Sequence, residues 1–127
     1  MAVKKEIESI EDIKLLVDTF YGEVRKDELL GPIFNGIIQE NWPEHLEKLY
    51  RFWQTILLDE HTYYGSPFAP HAQMPIGQKH FGQWVNLFHT TLDTYFVGER
   101  ADKARKQSEQ MASIFQSKIY YIQGRTE

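Results

Sequence analysis

His71 stands amid a spaced set of residues able to do chemistry together. Upstream lie a Phe20-Tyr21 pair, a Trp42-Pro43-Glu44-His45 step and a Phe52-Trp53 pair; downstream comes Phe81-x-x-Trp84. A neutral imidazole is a good axial ligand for a haem iron. Tyrosine and tryptophan each carry a hydrogen-bond donor, and a second histidine can donate or accept. With the phenylalanine and tryptophan rings, these groups supply the flat apolar slot and polar distal face that such a cofactor needs. Singly, each residue has a plainer explanation. A loop histidine is usually solvated, His45 in a first helical turn is readily exposed, and Tyr21 can reach a backbone carbonyl from within a core. Phe-Trp steps fill many helical cores. The joint spacing is what points to a bound group.

These residues must be held by helices. Ser9 with Asp12 resembles a helix start, with a side-chain acceptor at the cap and an acid in the first turn. Ile13, Leu16, Val17, Phe20, Tyr21 and Val24 follow at helical spacing, and Arg25-Lys26 suit the C-terminus. Leu29 to Phe34, interrupted by Gly31-Pro32, reads as a turn or a single helical turn. Asn41 can cap a second helix, with Pro43 tolerated in its first turn and Glu44 completing a capping pattern. Leu46, Leu49, Tyr50, Phe52, Trp53, Ile56 and Leu57 form its broad apolar stripe, and His45 lies near that stripe. Residues 59–79 carry Gly65, Pro67, Pro70, Pro75 and Gly77 and read as loop, with one helical turn near His71. A loop that long in a compact domain is usually functional or disordered; its content of Tyr63, Tyr64, Phe68, Met74 and Ile76 favours order. Phe81, Trp84, Val85, Phe88, Leu92 and Tyr95 predict a third long helix ending near Gly98. Ala101, Ala104, Ser108, Met111, Phe115, Ile119 and Ile122 predict the last, with Gly124 as its C-terminal cap. No segment alternates strictly, so the expectation is one all-α domain over residues 1–127 with four substantial helices.

Composition excludes several functions. Net charge is −4, from 14 basic and 18 acidic residues that are intermixed, so no basic stripe suggests nucleic acid. There is no cysteine, hence no disulfide and no thiolate ligand, which is compatible with a reducing cytoplasm. The first residues show no apolar run behind their lysines, so no signal peptide is expected, and no apolar stretch is long enough to span a bilayer. His45, His61, His71, His80 and His89 make no zinc-hydrolase pattern, and neither a Gly-rich phosphate loop nor a Gly-x-Ser-x-Gly elbow occurs.

The run Phe20-Tyr21-x-x-Val24-Arg25-x-Asp27-x-Leu29-Leu30-Gly31-Pro32-Ile33-Phe34 resembles the early helices of truncated haemoglobins. Trp42-x-x-His45, Phe52-Trp53, the loop reaching His71, Phe81-x-x-Trp84 and Met111-Ala112-x-x-Phe115 are similar to the third group of that family. The resemblance spans residues 10 to 123. The glycine pairs that hinge the loops of other groups are absent, as they are in the third. The resemblance implies a two-over-two helical sandwich around haem b (iron protoporphyrin IX). It implies that His71 is the proximal iron ligand and that Tyr21, His45 and Trp84 form the distal, catalytic face. It also implies haem packing by Phe34, Leu49, Phe52, Trp53, Tyr63, Met74, Ile76, Phe81, Phe115 and Ile119. His80, Lys79 and Arg51 could reach the propionates, or could equally be solvated surface residues.

Donors aimed at a bound diatomic would hold the partial negative charge it acquires, as a preorganised oxyanion site does. Each such bond to a charged acceptor contributes about 1.5–3 kcal/mol. The expectation is a protein for O2, NO and CO whose pocket favours holding or activating oxygen, through nitric oxide conversion to nitrate or a peroxidase-like reaction. Turnover would need an outside reductant, since the chain has no flavin or nicotinamide domain. Two alternatives stay open: a gas carrier or sensor without catalysis, and a cofactor-free all-α interaction module. A cytoplasmic monomer with no nucleic-acid or membrane partner is expected.

Overall fold

The computed structural model describes residues 4–63 and 76–122. Their order is α1 (Ile10–Lys26), α2 (Gly31–Ile38), a 3-10 turn (Gln39–Asn41), α3 (Trp42–Leu58), α4 (Gln78–Tyr95) and α5 (Glu99–Ile122). The four long helices appear where periodicity places them. α1 packs on α3 and α4, while α5 packs on α4 and α3, so the four close a ring of two helix pairs. Among the described residues no helix is long and apolar enough to cross a membrane. Gly124 lies outside the described residues, as do His71 and the turn expected around it.

Local chemistry meets expectation at one helix start and differs at the other. At α1 Ser9 is the N-cap and shares a capping box with Asp12. Its carboxylate takes the Glu8 N–H at 2.9 Å and the Ser9 N–H at 3.2 Å, and the Ser9 hydroxyl donates to the same oxygen. A carboxylate there also meets the positive end of the helix dipole. Asn41 makes no side-chain cap at α3; the preceding 3-10 turn feeds directly into the helix instead. The segment expected to be at most one turn is the eight-residue α2. Pro32 falls in its first turn, where the missing N–H costs nothing. Gly31 is needed because a Cβ there would stand 2.7 Å from the Arg25 carbonyl oxygen.

The core follows from the apolar stripes. Ile13, Leu16, Val17, Phe20 and Val24 of α1 are sealed against Leu57 of α3, Phe88 and Leu92 of α4, and Ile119 of α5. Phe88 joins three helices. It lies edge-on to Phe20 at 5.1 Å and stacks on Trp53 at 5.0 Å and on Trp84 at 5.7 Å. Ring pairs of this kind add about 0.5–1.5 kcal/mol beyond their buried area. Ahead of α1, Lys5 pairs in parallel with Phe96 and Ile7 is fully buried.

Candidate functional site

A cleft of about 220 Å³, partly open to solvent, lies between the helices. Each helix gives it one face. From α3 come His45, Lys48, Leu49, Phe52 and Trp53, which recur three and four residues apart. From α4 come His80, Phe81 and Trp84; from α5, Met111, Ala112 and Phe115. Tyr21 of α1, Leu30 and Phe34 close one end. Tyr63 and Ile76, the described residues on either side of 64–75, both line the cleft. Tyr63 is set there by α3: the Thr55 hydroxyl accepts the Thr62 and Tyr63 N–H groups at 3.1 and 3.0 Å, and Thr62 donates to Gln54 at 2.8 Å.

One corner of the cleft is polar. The rings of Tyr21, Trp42 and His45 form a triangle: Tyr21–Trp42 and Tyr21–His45 are 6.0 Å apart between centroids, and Trp42–His45 is 5.7 Å. Tyr21 is buried, which pushes its hydroxyl pKa up to about 12; a hydrogen bond from Trp84 opposes that rise. The phenol therefore stays protonated at neutral pH, and its O–H is a donor. Trp84 is itself held by Phe20, edge-on at 5.4 Å, and by Phe88. Behind it Gln83 donates to Asp27 at 2.7 Å, tying α4 to the end of α1.

Elsewhere the lining is mostly apolar: Leu30, Phe34, Leu49, Phe52, Trp53, Ile76, Phe81, Met111, Ala112 and Phe115. Phe52 meets Trp53 and Tyr63 edge-on at 5.2 and 5.4 Å. The two cationic or imidazole groups apart from the corner are Lys48 and His80. The Gly77 N–H donates to His80 Nδ1 at 2.9 Å. That nitrogen is then unprotonated, and the ring proton sits on Nε2 as a donor. Among the described residues no group of histidines and carboxylates could hold a bare metal ion.

The lining brings together Tyr21, His45, Trp84, Phe34, Leu49, Phe52, Trp53, Tyr63, Ile76, Phe81 and Phe115. Ile119 is not in it; the residue is fully buried in the core one turn beyond Phe115. His71 and Met74 lie outside the described residues. Of the three proposed carboxylate partners, His80 lines the cleft. Arg51 does not; its guanidinium engages Glu47 at 2.6 Å and Gln54 at 3.1 Å. Leu30, Lys48, Met111 and Ala112 were not predicted as lining. Lys48 was findable, standing three residues after His45 and four before Phe52 on one helix face.

A flat apolar space with donors at one corner fits a porphyrin by chemistry. Aromatic and aliphatic groups face its plane, and Lys48 and the His80 Nε2–H can meet carboxylates.

Comparison with known proteins gives a consistent picture. The family model described as "Bacterial-like globin" matches residues 5–119. The chain is 36% identical over 126 residues to the Group 3 truncated hemoglobin ctb of Campylobacter jejuni, covering 96% of this chain and 99% of that protein. The crystal structure of group III truncated hemoglobin from Campylobacter jejuni matches with a TM-score of 0.84 and 37% identity, over 93% of this chain and 96% of the other.

Proposed function

The chain belongs to the bacterial-like globins, as a group III truncated haemoglobin, and from that membership we propose that it carries haem b on His71 and retains oxygen tightly enough to use it in redox chemistry. The family implies haem and binding of diatomic gases. The finer reading rests on the polar corner. Haem, when bound, would supply a redox-active iron able to take small diatomic ligands.

The chain's own residues do the rest. Tyr63 and Ile76, the described residues that flank His71 in the sequence on either side, both line the cleft, which supports His71 as the residue that would hold the iron. Phe52, Trp53, Phe81 and Phe115 exclude water from the flat face. Lys48 and His80 would hold the carboxylates. Tyr21 and Trp84 both line the corner, and each carries a donor for the ligand. His45 completes the corner as donor or acceptor. A hydrogen bond to a ligand bearing negative charge slows its release, and in a water-excluded corner it strengthens. The reaction we assign is oxidation of nitric oxide to nitrate by dioxygen, with one electron per turnover supplied by an outside reductant; the haem would supply the redox centre and the chain's corner residues would hold the oxygen.

The observation that carries this reading is the polar corner itself, where the buried Tyr21 lines an otherwise mostly apolar cleft together with His45 and Trp84. Oxygen dissociation measured by stopped flow tests it. Tyr21→Phe should release oxygen roughly 10–100 times faster, the factor that one bond to a charged acceptor represents. Trp84→Phe should release it faster too, since a second donor lining the corner is lost. Unchanged rates in both variants would remove the reading. The reaction itself predicts one nitrate formed per nitric oxide consumed.

A further inference from the structure

We infer that Arg25 and Trp42 form a latch that positions His45 against Tyr21 and thereby limits how freely a small ligand reaches the polar corner. Only the kinetic consequence rests on the haem reading; the positioning is a property of the chain alone.

Two short side-chain pairs face each other across the α1–α3 contact. Tyr21 and Arg25 are four residues apart at the end of α1, and Trp42 and His45 are three apart at the start of α3, so each pair shares a helix face. The inner members make the ring triangle of the corner. On the remaining side, the Arg25 guanidinium carbon stands 4.7 Å from the centroid of the Trp42 ring. A planar guanidinium suits an aromatic face. Arg25 is exposed, and among the described residues it makes no ion pair. Its backbone is fixed independently: the carbonyl accepts the Asn35 amide at 3.2 Å and packs against Gly31. The cation thus starts from a fixed point and ends on Trp42, which is 5% exposed.

The first turn of α3 needs such a clamp. Asn41 gives it no side-chain cap. Gln39, just before, has φ 53° and ψ −121°, a left-handed conformation that a side chain disfavours. The backbone leading into this turn is therefore strained rather than relaxed, and ring packing with the Arg25 contact helps set where His45 sits. Arg25 touches neither ligand nor cofactor in this scheme, so it is a positioning residue.

The experiment uses the full chain, reduced and under carbon monoxide, as wild type, Arg25→Gln and Arg25→Lys. Two quantities are read: the NMR resonances of the His45 ring protons, which feel the Trp42 and Tyr21 ring currents, and the carbon monoxide association rate after flash photolysis. Arg25→Gln should shift the His45 resonances toward those of a solvated imidazole and speed association by about two- to fivefold, the factor an exposed cation–π contact carries. Arg25→Lys keeps a cation over the ring and should restore both. An Arg25→Gln variant with wild-type resonances and rate would overturn the latch, and so would Arg25→Lys behaving like Arg25→Gln. A chain that takes up no haem would reveal itself by its absorption spectrum; the His45 resonances would then decide the latch by themselves.

Discussion

The two ends of α4 are built on opposite principles. At its C-terminal end the molecule seals itself. The Lys5 N–H donates to the Tyr95 carbonyl at 3.1 Å, the Val97 N–H donates to Lys5 at 3.0 Å, and Arg100 reaches the Ile7 carbonyl at 2.9 Å. Lys5 also pairs with the Asp12 carboxylate at 2.9 Å, over a fully buried Ile7. At its N-terminal end His80, Phe81 and Trp84 face a cleft. Among the described residues, one end is closed by backbone and side-chain pairing, while the other opens onto that cleft. On the proposed reading the first end is stable by itself and the second gains further stability from a bound haem.

Phe88 belongs to both ends, and replacing it should have the largest effect. Phe88→Ala should cost about 3–5 kcal/mol of unfolding free energy in a denaturant titration, by loss of burial and by the cavity left among Phe20, Trp53 and Trp84. A cost near that of an ordinary surface change would mean the ring cluster does not unite the helices.

Removing haem should come next. A ligand of the native state present at a thousand times its dissociation constant stabilises it by about 4 kcal/mol. Hydrogen exchange should locate the loss. Amides of the first turns of α3 and α4 should exchange faster without haem, while those of residues 5–13 and 95–100 stay protected. Equal acceleration at both ends would erase the contrast.

The smallest effect concerns the seam. Asp12→Ala should cost about 1 kcal/mol, as loss of a helix cap does. Burial pushes the Asp12 carboxyl pKa up, but hydrogen bonds from the Glu8 N–H, Lys5 and the Ser9 N–H outweigh it and hold the group below its ordinary 3.8. A depressed pKa in the folded state means the contribution is complete above the ordinary value. It is lost as pH falls below that value toward the folded one. The stability difference between wild type and Asp12→Ala should therefore shrink in acid; a gap that is constant with pH would contradict this role.

Much of this was legible in the residues. Stripes such as Ile13, Leu16, Phe20 and Val24 predict α1 because one face of a long helix must be buried, and the same holds for α3, α4 and α5. The seam was not legible. Lys5 and Phe96 pair through backbone groups, which leave no pattern in side-chain types, and Ile7 is a single apolar residue in a polar stretch. Short α2 escaped because Gly31-Pro32 ordinarily signals a break, whereas here proline falls where a helix tolerates it. Within the site, the residues on long helices could be placed by spacing. Ile119 shares a helix face with Phe115, but one turn of about 5.4 Å carries it past the edge of the cleft into the core. Spacing reveals a face and not where along it a cavity ends.

The central claim is a haem held by His71 in an accessible pocket. The visible absorption spectrum of the purified full chain tests it most directly, recorded with haem supplied, then reduced, then under carbon monoxide, beside His71→Ala. The account predicts an intense Soret band in the wild type that moves on reduction and again with carbon monoxide, and a variant that loses haem or fails to give that series. A wild-type chain without a Soret band, or a His71→Ala spectrum identical to it at every stage, would contradict the account.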